Sequence, residues 1–586
     1  MKKKNLFIVT NNQSYERIVE YINQNINSGE NFLISFDRNL LESIKKEKLL
    51  KKKNILDGNK IIENKIDFIG KKISFILKKL LSLNSDFYLS KFSELNNADN
   101  FYNDFLINDV SLSIIKSRNI SHIFSDIRLS GISNKIRINY YKSQKKNLKI
   151  ISLLKYFFIS FKNLINEIFF SLTLNKDIVK KNKLIITNFK DNWMKKNSKY
   201  RYIYIQNFNQ KPDYSYLVSC LRNNTNSHNS YFKYVKKINT LAKQNDIFFI
   251  EAWVSPLYII KNYFIGYFLL IKNYFRYKNF FLDHNLKSYH SILCIFYLID
   301  YPKNKNLELA MKNFFEAQKE IKKICIPVFE LNDGKIACKV GNDFKINTYG
   351  VQHGYFNIWH KWRFYYNLKT CSDLSKNFLP KNIFFFGPNT FKWYIKTNHI
   401  FKKIIGNQRI KEYPKKYNFN KVNNNNILIL LDLRDWHEKI LSLNDIFKET
   451  RYNLIVKAHP FTISSVKKLM IEKKLIKNFI FINDLKFFKR KYPKFVLSSD
   501  TGAIIELTKA GWPCFLLNNP TKPNISPILN YNNSLIRLDA TRELVIKIEK
   551  FQAYQLKKYV RKQQYFSNLH LTEIGEKAGK KFQKYF

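Results

Sequence analysis

The stretch Phe495–Pro513, FVLSSDTGAIIELTKAGWP, decides the fold. Phe495, Val496 and Leu497 run directly into Ser498 and Ser499, and from Ala503 onward the apolar residues fall at helical spacing. A short, continuously apolar strand that feeds a helix is half of a parallel β–α unit, because a strand covered on both faces needs no polar alternation. Small hydroxyl residues at such a junction cap free N–H groups and also offer them to a phosphate. Glu506, about two turns in from Ser499, is placed to hold ribose hydroxyls. Ser498, Ser499, Thr501 and Glu506 are therefore candidate binding residues, against the plainer reading of a capped helix.

Working outward, the segment Leu454–Phe461 (LIVKAHPF) is a second buried strand, and it exits through Lys457, His459 and Pro460. Lys and His together at such an edge suit a nucleotide phosphate, and proline fixes the path of the leaving chain. A solvated lysine and a structural histidine are the alternative. Further upstream, NTYGVQHGYFNIWH (347–360) is a β run ending in Gln352, His353 and Gly354. In a parallel sheet ligands bind beyond the carboxyl ends of the strands. His353 is placed there as a general base or phosphate donor, Gly354 allows close approach, and His360 is a weaker candidate. The strand IPVFE (326–330) brings Glu330 to a carboxyl end as a second catalytic candidate.

The same alternation runs along the whole chain. Expected strands are Leu6–Thr10, Phe32–Phe36, His122–Ser125, Leu184–Thr187, Tyr202–Ile205, Ile247–Ile250, Ile292–Leu298, Ile324–Phe329, Asn347–Val351 and Ile383–Phe386. A second series follows at Ile427–Leu431, Asn453–Lys457, Phe479–Ile482, Phe495–Ser498 and Cys514–Leu517. Separated by helix-length segments, they predict an α/β chain of doubly wound parallel sheets. The polar, Asn/Lys-rich end of 389–426 reads as the main linker. The expected division is an N-terminal α/β region with amphipathic helices (1–180), a Rossmann-like domain (181–392), a second Rossmann-like domain (393–550) and a helical tail (551–586). No internal sequence repeat is visible.

Composition sets the outer limits. The chain has 586 residues, 45% hydrophobic and 16% aromatic, which is globular rather than disordered. Its 101 Lys plus Arg against 45 Asp plus Glu give a net charge of +56, which would suit a phosphate-rich partner. Only 16 of those basic residues are Arg, the residue of bidentate phosphate and base recognition, so a specific nucleic-acid partner is not expected. Attraction to an anionic membrane surface or substrate is the secondary reading. The six cysteines have no C-x-x-C spacing and read as buried thiols of a reducing compartment. The start MKKKNLFIVTNNQ holds too few apolar residues for a signal-peptide core. Ile150–Leu174 and Pro256–Phe275 are the greasiest stretches, but polar residues interrupt both. They read as core helices or as interfacial helices, not as membrane spans. There is no H-E-x-x-H, G-x-G-x-x-G, Walker A, G-x-S-x-G or D-x-D pattern, so zinc hydrolysis, dinucleotide redox chemistry and metal-held nucleotide-sugar transfer lack sequence support.

In order, strand-QHG, strand-K-x-HP and strand-SS-(six residues)-E-(four residues)-GxP resemble the C-terminal two-thirds of bacterial O-antigen and capsule biosynthesis proteins with the GT-B glycosyltransferase fold. More distantly they are similar to capsule Kdo-transferases, bacterial sialyltransferases and CDP-glycerol glycerophosphotransferases. Phe386-Gly-Pro and Ile405-Gly-Asn-Gln-Arg add to the likeness, which covers about Ile324 to Pro513. The chain carries KAHP where KPHP or KGHP is usual, and lacks the Asp of a D-x-S-S motif before Ser498. The resemblance implies two facing Rossmann-like domains, here with the additional N-terminal region. It also implies a nucleotide-activated sugar as donor with no metal or other cofactor, and a glycan or lipid-linked glycan as acceptor. It makes His353 the catalytic or acceptor-side histidine. His459, Pro460, Ser498 and Ser499 would bind nucleotide and phosphates, Glu506 the ribose, and Arg409 would offset diphosphate charge. The expected activity is glycosyl transfer in surface polysaccharide synthesis, in the cytoplasm and peripheral at the inner face of its membrane. Alternatives are a CDP-polyol phosphotransferase and a non-enzymatic binder of anionic surfaces or nucleic acid.

Overall fold

The computed structural model describes residues 3–586 apart from 11–14, 26–28, 49, 66–67, 69–70, 73–74, 77–78, 80–98, 127–128, 130–131, 133–135, 141–148, 189–192, 197–198, 203–212, 221–237, 239, 242–243, 245, 284–288, 353, 355–376, 390–399, 411–413, 433–435, 460–461, 476–478, 483–484, 486–487, 489–491, 500, 519–534 and 542. Three parallel sheets organise them. The first holds β1 (Lys3–Val9), β2 (Gly29–Ser35), β3 (Ile55–Asp57), β4 (His122–Ser125) and β5 (Arg137–Tyr140) in the order β3-β2-β1-β4-β5. The second begins with β6 (Lys183–Asn188). After a small antiparallel hairpin, β7 (Trp193–Lys196) with β8 (Lys199–Tyr202), it continues with β9 (Ser215–Ser219), β10 (Ile247–Phe249), β11 (Lys323–Ile326), β12 (Asn347–Val351), β13 (Asn382–Phe385) and β14 (Phe401–Ile404). Its order is β10-β9-β6-β11-β12-β13-β14. The third holds β15 (Val422–Leu430), β16 (Asn453–Lys457), β17 (Phe479–Phe481), β18 (Tyr492–Ser498), β19 (Cys514–Asn518) and β20 (Arg537–Asp539), ordered β17-β16-β15-β18-β19-β20.

The fold is α/β with Rossmann-like doubly wound parallel sheets. Within each sheet the first strand lies inside, the second and third step out to one side, and the fourth and later strands step out to the other. That is the winding of dinucleotide-binding sheets, with a switch point beside the first strand. The chain shows it three times without any repeat in sequence, because winding depends on where buried strands and covering helices fall and not on which apolar residues fill them.

The chain forms two compact units. One comprises Met1–Ile69, Phe105–Gln144 and Glu412–His570 and contains the first and third sheets; the other comprises Gly70–Asp104, Lys145–Lys411 and Leu571–Phe586 and contains the second. Within the first unit, Arg38 reaches Asp57 (3.2 Å), Glu63 (2.8 Å) and Asp539 (3.8 Å), so one guanidinium links the ends of β2 and β3 to that of β20. Within the second unit the chain terminus returns to its sheet: Phe582 and Phe586 join the core with Phe384 and Ile185. Gly406, at φ +86°, lies where a Cβ would come 2.4 Å from the Glu573 carbonyl oxygen. This close approach and the backbone conformation both require glycine.

Most expected strands are present, with ends shifted by up to three residues and, at the start of β15, by five. Ile292–Leu298 is a correction: Tyr289–Ile295 is α-helix, continued by a π turn over Phe296–Asp300 and the helix Tyr301–Ala317. A continuous apolar run cannot be told from a buried helix by periodicity, and here the flanking helix decides. The strand expected over Ile324–Phe329 stops at Ile326, and 327–330 form a turn, as Pro327 has no N–H for the ladder. The asparagines 423–426, read as linker, lie inside β15. Of the strand expected at Tyr202–Ile205, only Tyr202 lies among the described residues, ending the hairpin. The five described cysteines are buried thiols.

Candidate functional site

The switch point of the third sheet lies where β15, β16 and β18 end side by side. Backbone bonds carry the ladder past the strands: Ser499 N–H donates to Leu430 O (2.9 Å) and Leu431 N–H to Lys457 O (3.1 Å). Three exits are thereby held in register, and they carry Asp432, Lys457 with His459, and Ser498 with Ser499. Lys457 and His459 are half-buried. The His459 carbonyl accepts from the Thr462 N–H (2.8 Å) and hydroxyl (3.1 Å), a turn that starts the helix Ile463–Glu472 and fixes the exit path of β16.

The serines do not lie where a helix cap would place them. β18 is an inner strand, flanked by β15 and β19, and both neighbours cover Ser498. Ser498 and Ser499 are 0% and 1% exposed. The Ser498 hydroxyl donates to the Ser499 carbonyl (2.8 Å), and neither serine caps the following helix Ala503–Lys509. The chain instead turns at Ser499, whose carbonyl accepts the Thr501 N–H (2.8 Å), before the helix begins after Gly502. Thr501, Gly502 and Glu506, in the first turn, are half-buried and form the surface of this exit. The two serines form its floor.

Under that floor is a group the sequence reading missed. Lys439, on the helix Trp436–Phe447 that follows β15, is 4% exposed. Its ammonium donates to Ser499 Oγ (2.9 Å) and lies 3.8 Å from Asp432 Oδ2. The donation occupies an acceptor lone pair of Ser499 and leaves its hydroxyl proton for another partner. The signal was in the sequence: Lys439 falls on the same helix face as Ile440, Leu443 and Phe447, where an apolar residue is expected. A lysine there is a desolvated cation at the point where a parallel sheet of this winding receives phosphates.

In the second sheet the Q-H-G segment divides. Gln352 is buried and braces two strand exits: its Oε1 accepts the Phe386 N–H (2.9 Å) and its Nε2 donates to the Gly354 carbonyl (2.8 Å). Among the described residues nothing lies within 4 Å of a would-be Cβ on Gly354. His353 and His360 lie outside the described residues, as does Pro460 in the third sheet. Glu330 is 1% exposed. The turn that carries it is covered by the start of the helix Asn332–Asp343, where a Cβ on Gly334 would come 2.2 Å from the Val328 carbonyl. Glu330 is therefore an interior carboxylate and not the strand-end group expected. Its negative charge, after burial itself, pushes the neighbouring Cys338 thiol up. Glu251, unremarked in the apolar run IFFIEAWV, is the carboxylate at the β9 exit: it accepts from Ser219 Oγ (2.8 Å) and Cys220 N–H (2.7 Å). Arg409 is exposed, and its N–H donates to Asn407 Oδ1 (3.0 Å). This places the I-G-N-Q-R motif in the unit of the second sheet, at the exit of β14.

No protein-family model matches the chain, and no curated protein matches it. Among solved structures it is similar to CalG4, the calicheamicin glycosyltransferase, at 10% identity over 70% of this chain and 98% of that one, with a TM-score of 0.40. It is similar to UDP-GlcNAc 2-epimerase from Neisseria meningitidis bound to UDP-GlcNAc, at 12% identity over 69% and 98% with a TM-score of 0.37. Phytolacca americana UGT2, complexed with UDP-2fluoro-glucose and pterostilbene, gives 9% identity over 70% and 99% with a TM-score of 0.39.

Proposed function

We propose that the chain is a nucleotide-sugar-dependent glycosyltransferase of the GT-B type, transferring a sugar to a lipid-linked or polymeric glycan in the synthesis of a bacterial surface polysaccharide such as O-antigen or capsule, without a metal. The observation that supports it is the third sheet. It has the dinucleotide-binding winding, and a buried cation, Lys439, sits beneath the exits that carry Lys457, His459 and Thr501. In the proposed reaction the acceptor oxygen bonds to the anomeric carbon as the bond from that carbon to the leaving phosphate breaks. The nucleotide takes the bonding electrons, and the acceptor proton passes to a base, for which His353 is proposed. Cations and N–H groups fixed before the reaction meet the charge that grows on the leaving phosphate. Lys457 and Lys439 are proposed in that role, with His459, Pro460 and the β18 exit holding the nucleotide and Glu506 its ribose.

The test is melting of the full chain with CMP, CDP, UDP and GDP. A ligand bound only by the native state at about 100 times its Kd stabilises by about 2.7 kcal/mol. A shift with one nucleotide, reduced in His459→Ala and Lys457→Ala, is the expected result; no shift with any of them overturns the reading. The net charge of +56 favours a second reading, a non-enzymatic binder of polyanions. That reading requires binding with a steep salt slope and no dependence on His459 or His353. A CDP-polyol phosphotransferase would share the nucleotide site and leave phosphate in the product, which separates it from sugar transfer.

A further inference from the structure

Two long helices of the second unit carry apolar side chains on the outside. Lys149–Thr173 exposes Leu154, Phe157, Phe158, Phe161, Ile165 and Leu172, which all fall on one side of the helix, with Phe158 70% exposed. Pro256–Asp283 exposes Leu257, Phe264, Phe268, Ile271, Phe275 and Leu282. These recur at i, i+7, i+11, i+14, i+18 and i+25, a single stripe along a helix about 42 Å long. The two faces meet. Tyr267 stacks on Phe157 (centroids 5.1 Å) and receives the edge of Phe264 (6.3 Å), while its hydroxyl bonds Ser160 Oγ at 3.0 Å. Buried bonds tie the helices to each other and to the unit: Tyr263 OH of the second helix donates to Glu167 of the first (2.7 Å), Asn306 Nδ2 donates to the same carboxylate (2.5 Å), and Ser160 Oγ donates to Leu298 O (2.6 Å).

The charges on these helices are of one sign. Lys155 and Lys162 border the stripe of the first helix, and Lys261, Lys272, Arg276 and Lys278 border that of the second. The acidic residues are Glu167, which is buried, and Asp283 at the helix end. Among the described residues no helix is long and apolar enough to cross a membrane. A rigid face of aromatic and aliphatic side chains edged only by cations has the chemistry of a helix that lies in a bilayer interface, apolar side in the acyl boundary and lysines at the headgroups.

We propose that this helix pair docks the protein on an anionic lipid bilayer, with Phe158, Phe161, Phe264, Phe268, Ile271 and Phe275 inserted and Lys155, Lys162, Lys261 and Lys272 against the headgroups. The proposal goes beyond the transferase reading and does not depend on it. Charge complementarity selects the lipid surface over a second copy of the chain, because a copy would set these same cations against one another.

The test is co-sedimentation of the full chain with phosphatidylglycerol-containing and with pure phosphatidylcholine vesicles, at low and high salt. The expected result is binding to the anionic vesicles, weakened by salt. Phe264→Ser/Phe268→Ser/Phe275→Ser should lose at least about tenfold in binding. Lys261→Gln/Lys272→Gln should lose roughly thirtyfold, from about fivefold per basic residue. Since these side chains are largely exposed, the variants should keep the wild-type melting midpoint and any nucleotide-induced shift, which separates loss of docking from loss of the donor site. The proposal is overturned if the wild type binds neither vesicle, or if both variants bind as the wild type does. It is also overturned if light scattering finds a dimer that the serine variant converts to a monomer.

Discussion

Replacing Lys439 by Met isolates the cation beneath the strand exits of the third sheet. Methionine nearly matches the length of lysine and suits the apolar face of Ile440, Leu443 and Phe447, so the helix Trp436–Phe447 should be retained. Two things are lost: the donation to Ser499 Oγ at 2.9 Å and the charge 3.8 Å from Asp432. The first leaves the Ser499 hydroxyl free to turn; the second leaves a mostly buried carboxylate without that cation. Because the Asp432 side chain keeps 15% exposure and the pair is long, the stability cost should sit at or below the low end for a broken buried pair, about 1–3 kcal/mol. For a bound nucleotide the loss is electrostatic. At an effective dielectric near 20 and a separation of roughly 7 Å, one cation contributes about 2 kcal/mol toward one phosphate charge. The Kd should rise roughly thirtyfold.

Calorimetric titration with the nucleotide that gives the largest melting shift measures this, at several salt concentrations. A residue acting only through packing would change the melting midpoint and leave the salt dependence of Kd as it was. A residue acting through its charge should flatten that dependence, and Lys439→Arg should restore part of it. A folded K439M that binds nucleotide within twofold of the wild type at every salt concentration would refute the assignment of a phosphate site to the third sheet's switch point.

Four further outcomes are expected. Gly406→Ala sets a Cβ 2.4 Å from the Glu573 carbonyl at φ +86°, so it should cost about 3 kcal/mol or more and expose the terminal helix Gly575–Tyr585 to early proteolysis. Gln352→Ala leaves the Phe386 N–H and Gly354 carbonyl without that partner and should cost about 2 kcal/mol. In a transfer assay it should lower kcat far more than it changes donor KM, since its brace sets the segment that carries His353. Burial lowers His570 from 6.5 to about 4, so the first unit should lose up to about 3 kcal/mol as pH falls from 6.5 toward 4, and His570→Phe should flatten that acid limb of the melting curve. Glu167 runs the other way in the second unit. Burial raises it from 4.5 to about 7, against the bonds from Tyr263 and Asn306, so the stability it contributes is complete below pH 4.5 and lost as pH rises through 7. Limited proteolysis should thus open the first unit in acid and the second above neutrality.

The parallel α/β character and two doubly wound domains were legible because the inner strands are short apolar runs between helix-length segments, and β4, β12 and β16 fall at the expected residues; the same winding in the N-terminal sheet was not expected. What was not legible has two physical causes. Strands such as β3, β14 and β20 are short, polar or at a sheet edge, and take their conformation from the neighbour that pairs with them. The run Ile292–Leu298 carries no periodicity, so the contacts around it decide between helix and strand. Gly266, in the helix Pro256–Asp283, approaches so closely that a Cβ would come 2.4 Å from the Tyr297 carbonyl oxygen. That closeness belongs to the packed helices and cannot be read from either segment alone.

The candidate site divides along the same line. Lys457, His459 and Thr501 were named from position alone, as polar residues at or just past the ends of buried strands, and they are half-buried at the sheet's carboxyl edge. Ser498, Ser499 and Glu330 follow the same rule, yet they are buried, because inner strands and covering helices close over the first residues after a strand. Lys439 is the converse case, a charge on an apolar face, which periodicity records as a flaw in a helix and packing turns into a cation held beneath the exits. The rule that ligands bind at strand ends therefore needs a depth as well as a position. In the third sheet the buried layer is Lys439, Ser498 and Ser499, and the half-buried groups above it are Lys457, His459, Thr501 and Glu506. A mutational series should separate these layers. Changes to the second set should weaken nucleotide binding at constant stability, and changes to the first should move both together.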